Sequence, residues 1–181
     1  MSRPLLLICL VVAAGGACSP TANPVTAASA ARYPEYTDAD ATLFDDTLAP
    51  EVLGGSAMAA TGRPLAERAE AADAILRVRV TTVTSQDASG TPAYTLVLAP
   101  VGPPLAGPRE SEPLSVQVLA DSPAYPLVRA IDSELVGTTF ILLYRRYNEA
   151  GRVALHWHGV PDTDAERASI GQGRALGDFR K

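Results

Sequence analysis

The sequence is poor in several residue types, and each shortage excludes a class of structure. Its two cysteines both lie within the first 18 positions, so no disulfide can cross-link the rest of the chain, and packing must stabilise the fold. Lysine occurs once, and the net charge of −5 comes with no basic cluster, which argues against nucleic acid as a partner. With only two histidines and no further cysteine, the chain has few ligands for a transition metal.

Long apolar runs are also missing beyond the N-terminus. The one apolar run there covers residues 5–14, which is too short to cross a hydrocarbon core of about 30 Å. It follows a short segment that carries Arg3, and it precedes the small residues at 15–17. This is the three-part organisation of a secretory signal peptide. We therefore predict that residues 1–17 are a signal peptide that is removed on export.

Cys18 directly follows the expected cleavage point. A small residue before a cysteine at this place resembles the lipobox of bacterial lipoproteins, which carry type II signal peptides. The resemblance covers the first tenth of the chain, and it implies a diacylglycerol on the Cys18 sulfur and an acyl chain such as palmitate on its amine. Because Ser19 and not aspartate follows, it also implies anchoring in the outer membrane of a Gram-negative cell. Ordinary signal peptidase would cut the same bond and leave a periplasmic or secreted protein with a free thiol, and this alternative stays open.

Composition divides the rest of the chain into three segments. Residues 18–60 are rich in alanine, proline and small polar residues, which predicts a flexible tether. Residues 61–170 carry the apolar periodicity of a globular domain, and residues 171–181 are glycine-rich and basic, which predicts a flexible tail. Within the tether, a solvated acidic segment surrounds four apolar residues that can dock on the domain. Its aspartates are Asp38, Asp40, Asp45 and Asp46, and the apolar residues are Leu43, Phe44, Leu48 and Leu53.

The periodicity predicts a mainly β domain with short helices. Apolar residues at helical spacing indicate a helix over 64–73, and a capping box formed by Thr163 and Glu166 indicates another over 163–170. Alternation of apolar and polar residues indicates five strands, at about 76–84, 94–98, 114–118, 139–145 and 153–158. The segment between the third and fourth strands breaks this pattern and is predicted to be an insert with a short helix.

Three strands, a connecting segment and two strands is also the element order of an OB-type barrel. We therefore predict a β or α+β fold that forms a small five-stranded antiparallel barrel, OB-like in its order. A meander sandwich is the alternative. Element order is an analogy at the level of the fold and does not by itself indicate a function.

The candidate site residues lie in and after the fifth strand. His156 and His158 are two positions apart, so they share one face of the strand, opposite Leu155 and Trp157. With Asp162 they could complete a three-ligand zinc site that keeps an open position. This arrangement would suit a metal-binding protein or a hydrolase. The other interpretation is a polar outer face beside a core tryptophan.

Motifs for other chemistry are missing. The chain has no G-x-S-x-G sequence, and Gly171-Gln172-Gly173 lacks the strand–turn–helix context of a nucleotide fingerprint. Arg77 and Arg79 share a strand face and could hold an anionic group. The other interpretation is a solvated face or pairs with Asp and Glu. The leading expectation is a non-enzymatic cell-envelope lipoprotein, a binding or structural module without a cofactor. Its partners would be the membrane, through Cys18, and other envelope proteins.

Overall fold

The computed structural model describes residues 29–54, 64–86 and 93–179. The elements in chain order are α1 (Asp38–Ala41), β1 (Thr47–Leu48), a 3-10 helix (Pro50–Leu53), α2 (Leu65–Ala71), β2 (Ala74–Gln86), β3 (Ala93–Pro100), β4 (Leu114–Leu119), α3 (Tyr125–Leu135), β5 (Thr139–Glu149), β6 (Arg152–Pro161) and α4 (Asp164–Phe179). The six strands form one sheet in the order β1-β6-β5-β2-β3-β4. The predicted signal peptide lies outside the described residues, as do Cys18 and the rest of residues 18–28 and residues 55–60 of the predicted tether.

β2 is the longest strand, and it joins the two halves of the sheet. Its first half pairs with β5 and its second half with β3, both in antiparallel orientation. A register shift between Val80 and Thr82 marks a bulge in β2, and a bulge bends a strand and increases its twist. The sheet curls enough for Ser122, which follows β4, to donate a 2.8 Å hydrogen bond to the carbonyl oxygen of Asp46, beside β6.

One face of the sheet, the apolar face, packs beneath α3. Alternate residues of the strands point to this face, and α3 adds Val128 and Leu135, which are spaced for one side of a helix. The side chains at the centre of this layer are fully buried, so the layer supplies the main hydrophobic core. Its most deeply buried side chains include Val78, Leu96, Leu98, Val118, Phe140, Leu142, Tyr144 and Trp157.

The opposite face, the histidine face, is covered by α2, α4 and residues 34–48, which we call the strap. The strap crosses β5 and β6. At one end, the amide of Asn148 donates a 2.8 Å hydrogen bond to the Pro34 carbonyl oxygen. At the other end, Thr47 pairs with His158 in parallel orientation. Between these points, Phe44 of the strap is fully buried in a second apolar cluster with Ile141, Leu143 and Tyr147.

The mainly β class with short helices is confirmed, but the closed barrel is wrong for the described strands. β1 and β4 lie at the two ends of the sheet and do not pair with each other. β1 occupies the edge of β6 at His158 and Gly159, which a closing β4 would need. The expected five antiparallel strands become six, because β1 adds a parallel pair. The sandwich alternative is also wrong, since all the described strands belong to one sheet.

The predicted domain limits differ from the structure at both ends. Part of the expected tether is the strap, in which Phe44 is fully buried. At the C-terminus, α4 does not end near residue 170 but continues to Phe179. A Cβ at Gly173 would overlap the backbone of Ala66 in α2, so the glycine permits close packing of the two helices. The predicted flexible tail is therefore wrong for residues 171–179, where the glycines belong to a helix and Gly173 contacts α2.

Candidate functional site

The strap and the end of β5 bring two carboxylates onto His156. Its Nδ1 lies 2.9 Å from Oδ2 of Asp46, and its Nε2 lies 2.9 Å from Oε1 of Glu149. An ionised carboxylate can only accept hydrogen bonds, so both ring nitrogens must carry a proton to make the two bonds. Both hydrogen bonds form together when His156 is an imidazolium, and in this form the side chain joins the strap to β5 and β6.

Electrostatics around His156 favour this charged form. Burial lowers the pKa of the imidazole, but the hydrogen bonds and charges of Asp46 and Glu149 outweigh burial, and the net pKa is raised. The ring of Tyr36 stacks on the imidazolium with a centroid distance of 3.7 Å and an interplanar angle of 5°, which adds a cation–π attraction. The Tyr36 hydroxyl in turn donates a 2.7 Å hydrogen bond to the Phe44 carbonyl oxygen. Burial first, and then the charge of Asp46, raises the pKa of Tyr36 to about 12.

His158 makes a second contact with the strap. Its Nδ1 lies 2.8 Å from Oδ1 of Asp45, and the same carboxylate lies 3.3 Å from Nη2 of the buried Arg68 in α2. Burial raises the pKa of Asp45, but the hydrogen bond and charge of His158 and the charge of Arg68 outweigh it, and the net pKa is lowered. Arg68 also donates to the backbone oxygen of Leu43. Asp45 therefore links α2, the strap and β6.

Asp162 lies in a different contact network. Its carboxylate accepts hydrogen bonds from Nε of Arg77 and from Nη2 of Arg167, both at 2.6 Å. Across residues 29–54, 64–86 and 93–179, no three His, Cys, Asp or Glu side chains form a group that could hold a metal. The predicted zinc site of His156, His158 and Asp162 is therefore not assembled. For Arg77, the expected alternative, a pair with an acidic residue, is confirmed.

The histidines also differ from the second interpretation, a polar outer face. Trp157 between them is fully buried on the apolar face, as expected. However, the side chains of His156 and His158 are only 15% and 14% exposed, because the strap lies over them. Among the described residues, the hydrogen bonds of His156 join it to the carboxylates of Asp46 and Glu149 and not to a hydroxyl or thiol.

A groove of about 1060 Å³ lies between β4 and the first half of β6, and we call it the edge groove. Its width reflects the missing pairing between these two strands. One wall is formed by β3 and β4, and the other by the β5–β6 hairpin and β6. The side chains on the two walls include Thr95, Ser115, Gln117 and Leu119 on the first, and Glu149, Arg152, Val153 and Leu155 on the second.

The histidine cluster and the edge groove are neighbours. Tyr36, Asp46 and His156 line one end of the groove, as does Asp121 after β4. The hydrogen bonds of His156 to Asp46 and Glu149 therefore join the strap to the β5–β6 hairpin at that end of the groove. Sequence reasoning found His156 and His158 but missed both their partners and the groove. The docking expected for Phe44 and Leu48 is confirmed, because both side chains are buried against the sheet.

No helix in the described part of the chain is both long and apolar enough to cross a membrane. No known protein family matches the chain, and neither a characterised protein nor a solved structure is significantly similar to it.

Proposed function

We propose that this chain is an exported lipoprotein whose globular domain is a binding module close to the membrane. The anchor rests on the N-terminal sequence, in which a basic residue, a short apolar run and small residues precede Cys18. The binding role rests on one structural observation, the edge groove. It is open along an unpaired sheet edge and is lined by apolar and polar side chains, which is the usual composition of a binding site.

The topology supports a binding role for this region. The strands β2 to β6 follow the order of an OB-type barrel, with α3 between the third and fourth of them. In such barrels the second and third strands, together with the loop between the fourth and fifth, form the ligand surface. The corresponding elements here are β3, β4 and the β5–β6 hairpin, which are the walls of the edge groove. This support is an analogy of topology, since the barrel is open in the present chain.

The packed part of the chain begins close to the proposed anchor. Ala30 is fully buried, and it lies only twelve residues after Cys18. Fully extended, this length of chain spans at most about 43 Å. The point at which the domain is attached therefore lies within about 43 Å of the bilayer surface, which favours membrane-proximal envelope components as partners.

Lipid anchoring is tested by the intact mass and membrane fractionation of the protein expressed in a Gram-negative host, as wild type and as Cys18→Ser. We expect the wild type to carry the mass of its acyl chains and to sediment with the outer membrane. The variant should lack that mass and stay soluble in the periplasm. An unmodified wild-type chain that starts at Cys18 would exclude the anchor.

The binding role is tested by photo-crosslinking in living cells. A benzoyl-phenylalanine placed at Gln117 or Val153 lies in the edge groove, whereas one at Val136 provides a matched exposed site outside it. We expect discrete crosslinked products from the two groove positions and none from Val136. Identical patterns from all three positions, or no product from the groove, would exclude the groove as the binding site.

A further inference from the structure

We propose that the edge groove binds an extended segment of a partner protein, which adds as a strand between β4 and β6. The segment would alternate apolar residues with lysine or arginine. This inference rests on the proposed binding function and specifies the partner of the same groove. Four properties of the groove support it: free backbone groups, matching strand direction, limited length and acidic charge.

The first half of β6 presents unpaired backbone groups to the groove. The amide of Trp157 donates a 3.0 Å hydrogen bond to Oδ1 of Asp46, and its carbonyl accepts one from the Asp46 amide, so both Trp157 groups point away from β5. Along a strand, the backbone N–H and C=O groups of successive residues point alternately to its two sides. The register between β5 and β6 is continuous, so the N–H and C=O groups of Val153 and Leu155 point the same way. No described residue pairs with them there.

The direction of the two edges favours an inserted strand over direct closure. Four antiparallel steps, from β6 through β5, β2 and β3 to β4, leave β4 and β6 running in the same direction. Direct pairing of β4 with β6 would be parallel. One added strand could run antiparallel to both, and antiparallel pairing is slightly more stable per residue. It would close a six-stranded antiparallel barrel and cover both edges.

The length of the groove limits the segment to about six residues. β4 provides six residues of edge, or about 20 Å. The groove ends where Asp46 pairs with Trp157 and where Ser122 donates its hydrogen bond to the Asp46 carbonyl. A short extended peptide fits these limits, and main-chain pairing of this kind is a common mode of peptide recognition.

The side chains of the groove indicate the composition of the segment. Val153, which is 39% exposed, and the half-buried Leu155 lie on the apolar face of β6. They offer apolar contacts to alternate side chains of an added strand. Asp46, Asp121 and Glu149 line the groove, against one arginine, Arg152, and the protonated His156. Asp45 also lines it but is already paired with Arg68 and His158. This balance favours a basic partner and disfavours an acidic one.

The test uses the whole mature protein and a synthetic peptide of about eight residues in which valine and lysine alternate. Peptide affinity is measured by calorimetry, and amide hydrogen exchange is measured by NMR. We expect saturable binding and slower exchange of the Val153 and Leu155 amides. A peptide with glutamate in place of lysine should bind at least about tenfold more weakly, because its charges face the groove carboxylates.

A second peptide keeps the side chains but carries methyl groups on alternate backbone nitrogens. It cannot donate hydrogen bonds to one of the two edges, so we expect about tenfold or greater loss of affinity. The protein is unchanged in this comparison, so misfolding cannot explain the loss. The variant Val153→Pro removes the outward N–H from β6 at an edge position that tolerates proline, and it should weaken binding by a similar factor.

Three results would overturn strand addition: no binding at millimolar peptide, equal binding of the methylated peptide, or binding without protection of the Val153 and Leu155 amides. Concentration-dependent protection without any peptide would instead indicate a second copy of the chain in the groove, and it would also overturn the proposal. Groove-specific crosslinks in cells together with any of these results would leave the binding function intact and remove only the strand mode.

Discussion

The apolar face of the sheet, beneath α3, consists almost entirely of hydrophobic side chains, whereas the histidine face, beneath the strap, combines an apolar cluster with paired charges. On the first face Trp157 and Leu142 are fully buried without ionic partners. On the second, His156 bonds to Asp46 and Glu149, and Asp45 bonds to His158 and Arg68. The first face depends on burial. The second depends on partners, because a charge removed from water is costly unless it is paired.

The largest expected effect is on the apolar face. Truncation of Trp157 to alanine removes a fully buried indole and should lower the free energy of unfolding by about 3–5 kcal/mol. The control Val153→Ala lies on the same strand and the same face but is 39% exposed, and it should cost less than about 1 kcal/mol. Urea denaturation measures both variants. Equal losses would contradict the view that burial stabilises this face.

The next effect is on the histidine face, at the buried end of its charge network. Arg68→Ala removes a guanidinium that is 3% exposed and leaves Asp45 with one cationic partner fewer. Loss of one member of a buried pair is strongly destabilising, and the partial exposure of Asp45 reduces this to about 2 kcal/mol. Arg167→Ala removes the exposed partner of Asp162 and should cost less than about 1 kcal/mol. Equal denaturation midpoints for the two variants would contradict this ranking.

A smaller and pH-dependent effect is expected at His156. Its pKa is raised in the folded state, so its stabilising contribution is fully present below the unfolded pKa of about 6.5 and is lost as the pH rises through the folded pKa. We expect His156→Asn to cost about 1 kcal/mol at pH 6 and clearly less at pH 9. The carboxylates with lowered pKa titrate in more acidic solution and do not interfere. A cost that stays constant or grows toward pH 9 would contradict the view that a charged His156 links Asp46 and Glu149.

The smallest expected effect is that of zinc. His156 and His158 would have to give up their carboxylate contacts and His156 its extra proton before they could bind the metal. We therefore expect equimolar zinc to stabilise the protein by less than about 1 kcal/mol in thermal unfolding. The double variant His156→Ala with His158→Ala is the control. One bound zinc per wild-type chain and none bound to this variant would support the metal-binding alternative.

Several local features could be predicted from the sequence because they depend on neighbouring residues only. The alternation around Trp157 placed this residue in the core and the histidines on the opposite face, and the structure confirms both. Thr163 was predicted to cap a helix, and its Oγ1 accepts a 3.2 Å hydrogen bond from the Glu166 amide. The five predicted strands correspond to β2 through β6.

The charge pairs of the strap and the length of α4 could not be predicted in the same way, although the docking of Phe44 and Leu48 was predicted. Asp45 and Asp46 resemble solvated residues until β6 supplies His158 and His156, which lie more than a hundred positions away in the chain. In the sequence, Gly173 indicates a flexible tail, whereas in the structure it allows α4 to pack closely against α2. In each case the deciding contact is between distant parts of the chain, and a local pattern contains no information about it.

The sequence by itself therefore determined the mainly β class, the order of five strands and the core position of Trp157, because alternation and capping act over a few residues. The expected export and Cys18 anchor also derive from sequence alone. Only the tertiary structure decided that the sheet stays open, that the strap covers the histidines, and that β4 and β6 flank a groove. The physical reason is the curl of a bent sheet, since it brings together edges and charges that are remote in the chain.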